Sequence, residues 1–189
     1  GRELSRLRAF VPQRMPVPAG VTVREAVTIG RSSHLKMLGR LTGEDRAAID
    51  ASLERAGVAR FGERSLTTLS GGELQRVQIA IGLAQEAPVL LLDEPFAPLD
   101  AGRTLHIASI LLEEAARGVA FVVAVHDPNV ALELATRVLL VEAGRIVADG
   151  PIDEILNDDA LLRIHGGGWA LARRLGDGAR RWVPAAVTR

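Results

Sequence analysis

Along the chain, short unbroken apolar runs alternate with longer stretches where apolar positions recur every three or four residues. Ala9-Phe10-Val11 predicts a short buried strand, stopped by Pro12. Residues 12–20 hold three prolines and a glycine and predict a loop. Thr22 to Ile29 predicts a helix, because Thr22 and Glu25 have the spacing of a capping box. Gly43 to Gly57 predicts a second helix with Ile49, Leu53 and Ala56 as its apolar stripe and Gly57 as its end. A third runs from near Gly71 to about Glu86, with Leu74, Val77, Ile81 and Ala84 on its inner face.

The rhythm then changes. Val89 to Leu92 predicts a wholly apolar strand, about Ala101 to Arg117 a helix, and Val119 to Val125 another buried, β-branched strand. Pro128 to Ala135 predicts a short helix, and Val138 to Val141 a strand that turns through 142–145 into Ile146 to Ala148. Strands apolar on both faces, alternating with helices, predict a parallel α/β sheet. Residues 22–86 lie between two strand regions and so form an inserted helical subdomain. Beyond Gly150-Pro151 come one or two short helices, then a hairpin of Trp169 to Arg174 and Arg180 to Val183 around Gly176-Asp177-Gly178. The divisions expected are 1–21, 22–86, 87–150 and 151–189.

Composition narrows the function. A length of 189 residues suits one domain with a substantial core. Aromatic residues make up 3% and Tyr is absent, which argues against base stacking. Lys+Arg 23 balance Asp+Glu 23, so nothing draws the chain to nucleic acid or acidic lipid. No Cys is present, which excludes disulfides and thiolate chemistry. No run approaches the roughly 18 apolar residues of a membrane helix. The chain starts at Gly1 with residues that read as the middle of a domain, so a fragment or processed product is expected.

Three places carry candidate chemistry. Leu69-Ser70-Gly71-Gly72-Glu73 opens a helix. Ser70 and Glu73 match a capping box, which needs no further function. Two glycines in a first turn weaken a helix, however, and suit backbone N–H groups that closely approach an anion. Val89-Leu90-Leu91-Leu92-Asp93-Glu94-Pro95 ends a buried strand in paired carboxylates. Ligands of open parallel sheets bind at that end of a strand. An Asp there can hold Mg²⁺ directly or through water, and the neighbouring Glu can polarise an attacking water. Otherwise the pair is a solvated strand end with Pro95 as breaker. Val125-His126-Asp127 repeats the pattern of a titratable residue after a buried strand. Gln13, after the first strand, is unremarkable by itself.

Taken in order over nearly the whole chain, these elements resemble the ATP-binding-cassette (ABC) ATPases, the motor subunits of ABC transporters. Gln13 matches the Q-loop, residues 69–73 the signature, residues 89–94 Walker B with its following glutamate, Ala97-Pro98-Leu99-Asp100 the D-loop, and His126 the switch histidine. The resemblance implies an α/β P-loop NTPase (RecA-like) core with the inserted helical subdomain. It implies that Asp93 holds Mg²⁺, Glu94 is the general base for ATP hydrolysis, His126 contacts the γ-phosphate, and Gln13 senses Mg²⁺ and the water. Ser70, Gly71 and Gly72, with Glu73 completing the signature, would bind ATP held by an opposite subunit, and Asp100 would act across the same interface. Implied partners are a second cassette in a homodimer or pseudo-dimer, transmembrane permease subunits and, indirectly, an external binding protein. No nucleic acid is implied. The implied location is peripheral, on the cytoplasmic face of the inner membrane.

One departure stands out. A P-loop needs a glycine-rich turn followed by Lys and Ser/Thr, and the only lysine here is Lys36, in His34-Leu35-Lys36-Met37. The Walker A segment is expected to lie before Gly1, so that part of the core is missing and the chain alone is expected to have weak or no ATPase activity. Thr22-Val23-Arg24-Glu25-Ala26-Val27, Gly30-Arg31, His34, the stretch 150–156 and Arg181-Trp182-Val183-Pro184 are similar to the importer group for siderophore-iron, haem and cobalamin. Two alternatives remain open: a truncated, non-catalytic cassette that completes a partner's ATP site, and a soluble ABC ATPase outside transport.

Overall fold

The computed structural model describes residues 2–35, 40–97, 101–156, 169–173 and 180–184. It divides into two compact units, residues 1–124 and 125–189.

The first unit begins with helix α1 (Arg2–Leu7), which the apolar pattern does not predict, and strand β1 (Arg8–Val11). Three helices follow: α2 (Val23–Gly30), α3 (Gly43–Arg55) and α4 (Gly71–Ala84). Then come β2 (Val89–Asp93), α5 (Ala101–Ala116) and β3 (Ala120–Ala124). The strands form a parallel sheet in the order β1-β2-β3, with Val11 opposite Leu92 and Asp93 opposite Ala124.

Each of the three long helices of the insertion starts on the same device. The side chains of Thr22, Thr42 and Ser70 accept from the amides of Glu25, Asp45 and Glu73, whose carboxylates bond back to the cap amides. The Thr42–Asp45 box uses the shorter Asp in place of Glu, which hid it from the sequence pattern. Helix α3 ends as expected, at Gly57 with φ +64.

One apolar cluster joins the insertion. Val23, Ala26 and Val27 of α2 meet Ile49 and Leu53 of α3 and Val77, Ala80 and Ala84 of α4. The stripe expected on α4 is only part of its buried surface. Leu74 and Ile81 are half-buried, whereas Ile79 and Leu83 are buried as well. Helix α4 is thus enclosed on most sides. A Cβ at Gly82 would lie 2.9 Å from Val11 Cγ2 and 3.2 Å from Leu90 Cδ2, so this helix rests directly on β1 and β2.

The strands correct one expectation. Ala9, Val11, Leu90 and Leu92 are buried, but Phe10 and Val122 on alternate positions are 61% and 53% exposed. Strand β3, expected to be buried, alternates between exposed and half-buried positions. It has a single strand neighbour, β2, among the described residues, and alternation is what a sheet covered on one face produces.

The second unit holds α6 (Pro128–Leu134), the hairpin β4 (Arg137–Glu142) and β5 (Arg145–Pro151), α7 (Ile152–Ile155), and the antiparallel pair β6 (Trp169–Arg173) and β7 (Arg180–Pro184). The β4–β5 turn uses Ala143 at φ +47 and Gly144 at φ +75, as a two-residue hairpin requires. Strand β4 pairs antiparallel with β5 and is not part of the parallel sheet among the described residues. The residues expected to turn the last hairpin, Gly176-Asp177-Gly178, lie outside the described residues, as does Lys36.

Two predictions follow from the caps and the close approach of α2 to α4. A Cβ at Gly30 would lie 2.3 Å from the carbonyl oxygen of Ile81, which is backbone and cannot swing aside. Gly30→Ala should therefore lower stability by roughly 1–3 kcal/mol in urea unfolding despite alanine's better helix propensity; an unchanged midpoint would disprove that contact. The hydrogen bonds from the cap amides and hydroxyls hold the carboxyls of Glu25, Asp45 and Glu73 below their ordinary values. Groups with depressed folded values stabilise above the unfolded value and lose that contribution as pH falls through the folded one. Stability should decline below about pH 4 through these groups. Replacing Glu25 and Glu73 by Gln should flatten that acid limb, and an equally steep limb in the double variant would rule the caps out as its source.

Candidate functional site

Parallel strands expose their last amides and carbonyls at one edge, and side chains leaving that edge converge there. Gln13 is exposed two residues beyond Val11, and Asp93 is the exposed last residue of β2. Because Val11 pairs with Leu92, the chain segments carrying Gln13, Asp93 and Glu94 leave the same edge of the sheet.

Glu94 departs from the strand at once. Its φ is +47, a left-handed conformation for a residue with a Cβ. Such a conformation costs on the order of 1–3 kcal/mol unless the surroundings impose it. Here its amide donates to Ala124 O at 3.0 Å, which ties it to the end of β3, and its carbonyl accepts from Ala97 N at 3.2 Å. Pro95 and Phe96 are buried behind it. Glu94 itself stays half-buried, a setting in which a carboxylate keeps contact with water.

Among the described residues, no group of three or more His, Cys, Asp and Glu could cage a metal. Mg²⁺ rarely uses such a cage: it keeps waters, takes one or two carboxylates and completes its shell with phosphate oxygens. The exposed Asp93 carboxylate, with the Gln13 amide leaving the same edge, fits that donor chemistry.

The second cluster is the N-terminus of α4. Ser70 N and Oγ both donate to Glu73 Oε2 at 2.8 Å, while Ser70 Oγ accepts from Glu73 N at 3.4 Å. The capping box is therefore real and accounts for Ser70 and Glu73. It does not account for Gly71. A Cβ there would meet nothing within 4 Å, and the backbone is not in the positive-φ region. The first helical amides have no intrahelical acceptor, and glycine leaves open access to them. Three guanidinium groups lie nearby: Arg64 and Arg76 act electrostatically on Glu73, and Arg60 on Arg76.

His126 belongs to the second unit and is exposed. Asp127 beside it caps α6, accepting from Asn129 N at 2.8 Å, with Pro128 in the first turn. Asp127 is thereby assigned a structural task. Asp100 lies outside the described residues.

One polar network gathers Arg31 and His34, whose contacts their sequence pattern does not show. Arg31 is 5% exposed. Its Nε donates to Asp45 Oδ1 at 3.0 Å and its Nη1 to Ala84 O at 3.0 Å and Glu86 Oε2 at 2.5 Å. His34 Nε2 lies 2.8 Å from Gln85 O. Gly30-Arg31 and His34 thus tie α2, the α3 cap and the end of α4 together. The signal was present in the sequence as spacing, but its partners are 14 to 55 positions away.

This architecture, an α/β parallel sheet with acids at its carboxyl edge and a helical insertion, is that of a P-loop NTPase cassette, and solved cassettes superpose on it. A chain from an inward-facing ABC transporter described as of metal-chelate type matches with a TM-score of 0.87 and 26% identity, covering 94% of this chain and 73% of its own. A dimeric ATP-binding cassette in a post-hydrolysis state, bound to ADP and phosphate, matches with a TM-score of 0.66 and 28% identity over 80% of this chain and 65% of its own. The ABC transporter family model matches residues 2–97, just over half of the chain. The chain belongs to that family. The iron(3+)-hydroxamate import ATP-binding protein FhuC of Bacillus subtilis is 35% identical over 86% of this chain and 61% of its own length. The hemin import ATP-binding protein HmuV of Rhodococcus jostii is 36% identical over 87% of this chain and 56% of its own. The chain thus spans less than two thirds of these relatives.

Gly71→Ala separates folding from function. It should leave the chain as stable or stabilise it by up to about 1 kcal/mol, because alanine is the better helix former and the space is open. A clear loss of stability in thermal unfolding would show that the fold itself requires Gly71.

Proposed function

We propose that this chain is part of the ATP-binding and ATP-hydrolysing subunit of an ABC importer, with an iron chelate, haem or cobalamin as cargo. The observation that carries the proposal is the edge where Gln13, Asp93 and Glu94 leave one parallel sheet. The names of the relatives, iron-hydroxamate and hemin import proteins, support the cargo class, and the solved dimer with ADP and phosphate supports a paired cassette.

Bound Mg²⁺ would neutralise charge on the ATP phosphates. Asp93 and Gln13 are the residues to hold it. Glu94 accepts the proton of the attacking water as the water oxygen bonds to the γ-phosphorus and the bond to ADP breaks. His126 contacts the γ-phosphate. The amides of Gly71 and Gly72, with Ser70, meet the γ-phosphate of ATP held by a second cassette, Glu73 completes the signature by holding Ser70 in the capping box, and Asp100 acts across the same interface. Residues 22–86 form the helical subdomain that passes this motion to permease subunits, between the core segments 1–21 and 87–150, with 151–189 as an extension. No described helix is long and apolar enough to cross a membrane, and attachment at the cytoplasmic face would come through the permease.

A second reading is favoured by one observation. Lys36 is the chain's single lysine and has no glycine-rich P-loop around it. The 189 residues alone would then only complete a partner's ATP site.

The test is ATP-dependent uptake and phosphate release by the full-length protein reconstituted with its permease. Glu94→Gln should lower turnover about 10²–10⁴-fold, and Gly71→Ala should lower it without any loss of stability. Full activity in Glu94→Gln would overturn the catalytic assignment. The 189-residue chain alone should release little or no phosphate; turnover by that chain, abolished in Glu94→Gln, would refute the second reading.

A further inference from the structure

Glu114 is 1% exposed on α5, one of the few buried carboxylates of the chain's described residues. It accepts from Arg55 Nη1 at 3.0 Å and from Arg117. Arg55 is the last residue of α3, so the pair joins the helical insertion to the helix that follows the Asp93–Glu94 segment. Two turns earlier on α5, His106 Nε2 lies 3.2 Å from Arg76 Nη1 of α4, and that same nitrogen donates to Gly57 O at 3.2 Å.

Ile107, Ile110 and Leu111 of α5 are buried, and apolar contact of that kind is non-directional and leaves the angle between elements loosely defined. Desolvating a carboxylate is costly, and a well-packed apolar pair in its place is often at least as stable. The pairing here is not even complete, since Arg55 Nε is buried with no hydrogen-bond partner among the described residues. The Arg55–Glu114 pair is thus poorly explained by stability. A directional contact at the C-terminal end of α3, backed by Arg76 between Gly57 and His106 two turns away along α5, fixes orientation.

We propose that Arg55–Glu114 is an orientation lock, which holds α3 and the loop running from it to Ser70 at a set angle on α5. The lock thereby holds the segment that leads into α4 against α5, while α4 itself is seated on β1 and β2. Glu114 and Arg55 are positioning residues. The lock itself stands without the nucleotide chemistry; its effect on turnover rests on the proposed function.

The chain contains no cysteine, so thiols introduced at the exposed positions Ala47 of α3 and Leu112 of α5 can be spin-labelled specifically in the full-length protein if any cysteine beyond this chain is first replaced. Pulsed electron–electron resonance should give one narrow distance distribution for the parent. Arg55→Gln, which removes the charge, should at least double its width, and Arg55→Lys, which keeps a charged donor, should restore it. The apolar pair Arg55→Met with Glu114→Leu should melt within about 2 °C of the parent, yet keep the broad distribution. A distribution as narrow as the parent's in both Arg55→Gln and the apolar pair would overturn the lock. Glu94→Gln should leave the distribution unchanged, so a failure of the catalytic assignment and a failure of the lock are read separately.

Discussion

Helix α4 is the element on which the first unit depends, and its two glycine-mediated contacts define it. At Gly82 the helix backbone comes down onto Val11 and Leu90 of the sheet. At Ile81, one residue earlier, its carbonyl lies where a Cβ on Gly30 of α2 would sit. A helix pinned on both flanks cannot present a single stripe, and Val77, Ile79, Ala80, Leu83 and Ala84 are all buried. Fully burying each large aliphatic side chain contributes about 1.5–3 kcal/mol. The N-terminus of this same helix carries the residues that resemble the signature, so the packing that holds the unit together also aims its candidate anion contact.

The two candidate clusters then follow from ordinary local physics. The acids stand at the sheet edge because β2 ends at Asp93, and Glu94 is turned out of the strand by its hydrogen bond to Ala124. The signature opens a helix because Ser70 and Glu73 cap it. Only Gly71 lies outside this economy, since neither packing nor backbone conformation demands it. A residue that the fold does not need is the better evidence for a ligand. Polar contacts far apart in sequence, Arg31 to Asp45 and Glu86, and Arg55 to Glu114, set how the helices lie against one another.

Much of this was legible in the sequence by itself. Helical periodicity and caps gave α2, α3 and α4 to within two residues, and apolar runs gave β1, β2 and β3. The parallel sheet, the acidic strand end and the signature could be named because each rests on neighbours in the chain: a capping box spans three residues, a strand end one. The family followed from the order of those local signals. The tertiary structure decided what depends on distant partners. It alone showed that α4 is enclosed rather than striped and that one face of β3 is exposed. It also revealed that Asp45 both caps α3 and pairs with Arg31, and that Glu114 is a buried charge. Local patterns arise from backbone periodicity and steric preference, which each residue carries with it. Burial, pairing and close approach depend on which segments meet, and nothing local to Glu114 or Gly30 specifies that.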